Sequence, residues 1–213
     1  MALTLFLLRH AAHDRVGDLL CGRMPGVPLG QHGRWQAARL AGRFPPGTLD
    51  ALYTSPLQRC RETAAAIAQP GGPEPVPAPE AEEVDFGAWT GLGFTVLETD
   101  PRWRAWNSDR DHAVAPGGEA MSAVRQRVVA LLKGLQARHP EGRVALISHA
   151  EIIRAAVLHL LSLPLQAYER LEVSPASVST LALWPGGGKL LGLNDVAHLA
   201  ANGHVAMEKG EPA

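Results

Sequence analysis

Leu5-Phe6-Leu7-Leu8-Arg9-His10-Ala11 is an apolar run that stops at an arginine and a histidine. Four consecutive large apolar residues suit a strand buried on both faces, whose interior tolerates no unpaired cation. In an open α/β sheet the residues just past a strand's carboxyl end line the ligand crevice. Arg9 and His10 are therefore candidates for anion binding and nucleophilic chemistry. Alone, the same dipeptide is more often the start of a polar loop. What separates the two readings is whether other strand ends deliver matching groups.

Two further segments do so. Leu49 to Tyr53 reads as a short second strand, followed by Thr54-Ser55-Pro56-Leu57-Gln58-Arg59. Ser55 suits an N-cap and Pro56 the first helical position, which places Arg59 about one turn into a helix. A helix N-terminus attracts anions, and an arginine there adds a bidentate donor for phosphate. Standing alone, Arg59 would read as a surface residue pairing with Glu62. Arg143 to Ser148 makes a third buried strand, ending in Ser148-His149-Ala150-Glu151 ahead of an apolar helix from Ile152 to Leu161. Alternating strands and helices require a mainly parallel sheet with right-handed crossovers, whose carboxyl edge is one shared crevice. The expected fold is an α/β, three-layer αβα sandwich with the site at the carboxyl ends of the strands.

Composition narrows the partners. With 213 residues, 46% of them hydrophobic and 19% charged, the chain is expected to form one domain over 1–213. Its formal charge of -1 offers no bulk attraction to nucleic acid or anionic membranes, so neither is expected as a partner. Cys21 and Cys60 lack Cys-x-x-Cys spacing and frame neither a zinc site nor a disulfide scaffold, which points to reduced thiols in the cytoplasm. Met1 to Leu8 carries no basic lead-in and is too short to span a membrane, so no targeting segment is expected.

Between the strand ends the chain is uneven. Ala11 to Gly30 is a long aperiodic loop expected to fold over a ligand. Gln31 to Phe44 offers Trp35, Ala38, Leu40 and Ala41 in helical register before Pro45-Pro46-Gly47. Gln69 to Pro79 is expected to lack regular structure. Glu80-Ala81-Glu82-Glu83-Val84-Asp85-Phe86-Gly87-Ala88-Trp89 is either a solvated acidic patch or the home of a general acid whose pKa Phe86 and Trp89 raise. Residues 89–118, with helical Thr95 to Asn107, read as an inserted lid. Ala120 to His139 is the clearest helix, with Met121, Val124, Val128, Leu131, Leu132 and Leu135 on one stripe. Val178 to Trp184 and Lys189 to Leu193 read as a closing hairpin, and the tail from Ala200 as frayed.

Arg9-His10, Ser55-Pro56-Leu57-Gln58-Arg59, Glu83-Val84-Asp85-Phe86-Gly87 and Ser148-His149 occur in this order, each at a strand end or the following turn. Together they resemble the histidine phosphatase superfamily, with its phosphoglycerate-mutase-like fold, over essentially the whole chain. The similarity is to the phosphatase branch, including α-ribazole phosphatase-type enzymes. It extends to Gly22-Arg23, Pro28-Leu29, Pro116-Gly117-Gly118-Glu119, Asn194-Asp195 and His198-Leu199.

The resemblance implies that His10 is the nucleophile that becomes phosphohistidine, that Arg9, Arg59 and His149 grip the phosphoryl oxygens, and that Glu83 is the proton donor. The implied activity is hydrolysis of a small phosphorylated metabolite, with no metal and no cofactor. His13, Arg23, Arg61 and Ala150 are further candidates for the pocket. The chemistry is coherent without the family. Phosphoryl transfer needs an in-line nucleophile and neutralised equatorial oxygens, which two guanidinium groups and a second imidazole supply. They also lower the pKa of His10, keeping a ring nitrogen free. Glu83 can protonate the leaving alkoxide and then deprotonate the attacking water.

Departures from the family pattern bear on the pocket. Ala11 stands where the family has glycine, and Ala12-His13-Asp14 and Val16-Gly17 replace small polar phosphate contacts, with His13 either standing in for one or solvated. Ala150-Glu151 replaces Gly-Gly, and Glu151 is expected either to repel a highly charged substrate or to pair with Arg9 or His13. Three alternatives are weighed. A phosphoglycerate-mutase activity is disfavoured by chain length and by a lid without an evident basic cluster. A non-catalytic phospho-ligand module is disfavoured by the intact core set. A metallohydrolase is disfavoured because His10 and His13 lack metal-face spacing. Trp89, Phe94, Trp103 and Trp106 are either a stacking platform or lid core. The pattern does not separate a monomer from a homodimer.

Overall fold

The computed structural model describes residues 2–68 and 70–200. Strands β1 (Leu3–Arg9), β2 (Ala51–Thr54), β3 (Pro75–Pro77), β4 (Arg143–Ser148), β5 (Val178–Trp184) and β6 (Gly187–Asp195) form one sheet in the order β3-β2-β4-β1-β5-β6. β3, β2, β4 and β1 run parallel, and β5 and β6 complete the sheet antiparallel. Register brings Arg9 of β1 opposite Ser148 of β4, so His10 and His149 leave neighbouring strands side by side.

Alternation along β1 creates two cores. Leu3, Leu5 and Leu7 enter one with Val144 and Leu146, whereas Leu8 enters the other with Leu52, Ala145 and Ile147. The first is covered by α5 (Met121–Arg138) and α6 (Ala150–Leu160), the second by α1 (Gln31–Ala41) and α2 (Gln58–Ile67). Helices on both faces of a period-two strand make the three-layer sandwich. All six expected stripe residues of α5, Met121 to Leu135, are its buried residues.

Several local expectations are corrected. α1 buries Gly33, Gln36, Ala37, Leu40 and Ala41, while Trp35 and Ala38 face outward and Trp35 stacks on His32. The rotation follows from the loop after β1, because Gln36 Oε1 accepts the Ala12 amide at 2.9 Å. α2 starts at Gln58, and Ser55 does not cap it. Instead the Ser55 hydroxyl is engaged by His149, 2.9 Å away, leaving Pro56 outside the helix. The segment from Gln69 to Pro79 contains β3, an edge strand beside β2 in which two prolines are tolerated because an edge needs fewer amide donors. Gln69 itself, like the tail beyond Ala200, lies outside the described residues.

The 89–118 segment carries two short helices, α3 (Phe94–Leu97) and α4 (Pro101–Ser108), divided where Asp100 caps the second by accepting the Arg102 amide. Its tryptophans pack on one another, with Trp103 and Trp106 stacked at 5.7 Å and Trp89 edge-on to Trp103 at 5.4 Å. This aromatic block joins the first core.

Candidate active site

At the carboxyl ends of β1, β2 and β4, His10, Arg59 and His149 are 3%, 2% and 0% exposed. Arg59 is not the surface partner of Glu62 that its segment in isolation would suggest. Glu62 instead accepts from Gln58 and from the Leu29 amide, and Arg59 turns inward. Its Nε donates to His10 Nε2 at 3.3 Å, and its Nη2 to Gly22 O at 2.8 Å and to His149 Nδ1 at 3.2 Å. Arg9 donates from Nη1 to Val173 O at 2.6 Å. Among the described residues Arg9 Nε and Arg59 Nη1 are buried without a protein acceptor. Buried, unsatisfied guanidinium donors around one imidazole are the signature of an anion site.

These contacts define the tautomers. His10 Nδ1 lies 2.8 Å from Ala11 O, which can only accept, so Nδ1 carries the proton and Nε2 presents a lone pair. His149 Nδ1 faces the Arg59 donor, so its proton sits on Nε2 and is given to Ser55 Oγ. Burial, reinforced by Arg59 and Arg9, holds the His10 pKa well below its usual value, and burial followed by Arg59 and His10 does the same for His149. Both rings are neutral near pH 7. Cys60 lies 3.4 Å from His149 Nε2 with its thiol pushed by burial to about 12, so it is a protonated neighbour. Cys21 and Cys60 are both free.

Glu83 approaches from the turn after a short 3-10 segment, its Oε2 3.8 Å from His149 Nδ1. Burial raises its pKa to about 7, with Arg59 pulling the other way. Of its two expected apolar neighbours, Phe86 lines the cavity, whereas Trp89 is packed behind it. The backbone that carries Glu83 is clamped. Its carbonyl accepts from Arg23 Nε at 2.8 Å and Arg127 Nη2 at 3.2 Å, and Glu119 binds both guanidinium groups and the Asp85 amide.

Glycine is required where this turn meets Pro116-Gly117-Gly118. A Cβ on Gly118 would lie 2.2 Å from Asp85 O, and one on Gly87, at φ +52°, would lie 2.2 Å from Pro116 O. Gly118→Ala should therefore cost about 1–3 kcal/mol in urea unfolding and displace Glu83, lowering turnover as well as stability.

The remaining candidates divide. His13 and Ala150 line a cavity of about 400 Å³ with Arg9, His10, Arg59 and Glu83, and His13 stacks on His10 with centroids 5.6 Å apart. Burial, then Arg59 and Arg9, lowers the His13 pKa to about 4. Arg23 is not a cavity wall because its donors are committed to the Glu83 turn, and Arg61 is exposed on the outer face of α2. Phe94, Trp103 and Trp106 line the cavity, while Trp89 does not. The long loop after β1 contributes Val16, Gly17 and Leu19 to Gly22 to the cavity wall.

Glu151 pairs with neither Arg9 nor His13. It is taken by Arg110 at 2.6 Å and Arg154 at 2.8 Å. Although no basic cluster is evident in the lid sequence, one of its arginines, Arg110, is 4% exposed and lines the cavity with Arg154 and Tyr168. Sequence reasoning missed these arginines. A buried carboxylate at the start of α6 demands a cation, but 41 residues separate Arg110 from Glu151.

An αβα sheet whose carboxyl edge gathers two buried imidazoles and unsatisfied guanidinium donors is a scaffold suited to phosphate, and the sequence profile of the histidine phosphatase superfamily (branch 1) matches residues 5–196. The chain belongs to that superfamily. It is 31% identical over 200 residues to phosphoserine phosphatase 1 of Hydrogenobacter thermophilus, covering 92% of this chain and 93% of that one. It is 28% identical to a probable phosphoglycerate mutase of Cronobacter sakazakii, covering 93% and 96%. Among solved structures, a phosphoserine phosphatase variant from Entamoeba histolytica bound to phosphoserine superposes with a TM-score of 0.84 at 25% identity, covering 93% of this chain and 100% of that one.

Proposed function

We propose that this chain hydrolyses a small phosphomonoester through a phosphohistidine at His10. The observation that carries the reading is the neutral His10 with Nε2 unprotonated, set among the buried, unsatisfied donors of Arg9 and Arg59. A phosphoryl dianion satisfies those donors and displaces the long Arg59 contact from Nε2. Nε2 then attacks phosphorus in line while the ester oxygen departs, taking the proton of Glu83. The same dianion raises the pKa of His149, whose Nδ1 can then donate to a phosphoryl oxygen. In the second step the Glu83 carboxylate takes a proton from water as its oxygen attacks the phosphohistidine, returning neutral His10, inorganic phosphate and protonated Glu83.

A phosphatase name among the relatives supports hydrolysis, and a mutase name beside it marks the competing fate of the same intermediate. The protein is expected to release phosphate from p-nitrophenyl phosphate at an unchanged rate after exhaustive EDTA treatment. A chase of 32P-labelled enzyme separates the fates. Label appearing as inorganic phosphate supports hydrolysis, whereas label passing to phosphoglycerate with negligible phosphate release would reassign the activity to a mutase.

A further inference from the structure

We propose that Arg110, Glu151 and Arg154 form a second, singly charged anion subsite, and that the substrate carries a carboxylate besides its phosphoryl group. This rests on the phosphomonoesterase reading and adds the substrate class. All three residues line the same cavity as His10. The Arg110 guanidinium is held between the Trp106 ring at 3.7 Å and the Tyr168 ring at 3.6 Å. Its Nη1 donates to Glu151 Oε2 at 2.6 Å and its Nη2 to Asn107 Oδ1 at 3.0 Å, and its buried Nε has no acceptor among the described residues. Arg154 donates from Nε to Leu171 O at 3.0 Å and from Nη1 to Glu151 Oε1 at 2.8 Å. Its side chain is 20% exposed, and Nη2 has no partner among the described residues, so that nitrogen is the accessible donor.

Charge selects the ligand. Arg9 and Arg59 are the two fixed positive charges that the ligand-free site sets against a phosphoryl dianion, both imidazoles being neutral before it binds. In the second group one carboxylate faces two guanidinium groups. Burial pushes the Glu151 pKa up, but Arg110 and Arg154 outweigh it and hold the carboxyl ionised. One positive charge is left over. A second phosphoryl group would overshoot it, and a neutral hydroxyl would leave it uncompensated against aromatic walls. An ammonium group would add to it. A carboxylate balances the charge and fits the open edge of a guanidinium. The chain's formal charge of -1 supplies no positive background that would do the same work.

Matched pairs test this: 3-phosphoglycerate against glycerol 3-phosphate, and O-phosphoserine against phosphoethanolamine. The carboxylate member should have a kcat/KM about 10–100-fold higher in each pair, the value of one charge-assisted contact. Arg154→Leu should shrink that ratio, Arg154→Lys should retain part of it, and Glu151→Gln should shift preference toward propane-1,3-diol bisphosphate. Calorimetric binding of the same pairs to His10→Ala protein reads the subsite without turnover. Absent hydrolysis with the binding preference intact would sink the phosphatase reading and leave the subsite standing. A wild-type ratio within about two-fold in both assays, the level of a solvent-screened pair, overturns the subsite. So does an Arg154→Leu protein with an unaltered ratio.

Discussion

His10→Ala is expected to lower turnover of any phosphomonoester by about 10⁴-fold or more, and to abolish acid-labile 32P labelling of the protein. The size of the effect follows from the site. The Nδ1 proton of His10 is fixed by a carbonyl, leaving Nε2 to the guanidinium cluster. With the phosphoryl dianion bound, His149 offers phosphorus no lone pair, because its Nδ1 takes up a proton against the dianion and its Nε2 proton is held by Ser55. The alanine protein should still bind substrate, since Arg9 and Arg59 remain. Stoichiometric 32P incorporation into His10→Ala would place the nucleophile elsewhere and dismantle the mechanism.

Glu83→Gln is expected to lower kcat/KM for an alkyl phosphate by about 10²–10⁴-fold, and to affect p-nitrophenyl phosphate far less, because nitrophenolate leaves without a proton. The pH profile gives the sign. Burial raises this carboxyl to about 7, so the acid form needed for the first step is lost as pH rises through 7, and kcat/KM for the alkyl ester should fall there. Glu83→Gln should flatten that limb. Stability moves with it. The group ionises near 4.5 when unfolded and near 7 when folded, so its contribution to stability falls as pH rises between those values. Above that window the buried carboxylate costs about 3 kcal/mol. Glu83→Gln should therefore raise the Tm at pH 8 and leave it nearly unchanged at pH 4. An identical Tm shift at both pH values would show that Glu83 is not held in its raised state.

The candidate catalytic set is legible because its histidines and Arg9 sit where a pattern changes abruptly. Arg9-His10 and Ser148-His149 interrupt apolar runs, and a register pairing Arg9 with Ser148 brings the two histidines together. The α5 stripe was equally readable, since one uninterrupted period decides which residues are buried. Ser55 shows the limit. Its place ahead of a helix suggests a cap, but His149, 94 residues away, takes its hydroxyl. The helical register alone puts Trp35 in the core, but Gln36, whose Oε1 accepts the Ala12 amide, is the buried residue of that turn and Trp35 faces outward. Arg23 belongs to the motif pattern, yet it acts from behind the site through Glu119, 96 residues distant.

From the sequence alone came the sheet, its parallel core, and the candidate site residues Arg9, His10, Arg59 and His149 at strand ends, whose proposed roles the family resemblance supplied. These follow from local rules of strand burial and of where a polar residue can follow an apolar run. Tertiary structure decided the tautomers, the raised pKa of Glu83 and the union of Arg110, Glu151 and Arg154. Each depends on burial and on charges brought together from distant segments. Coulomb and desolvation energies are set by distance in space, which spacing along the chain does not encode.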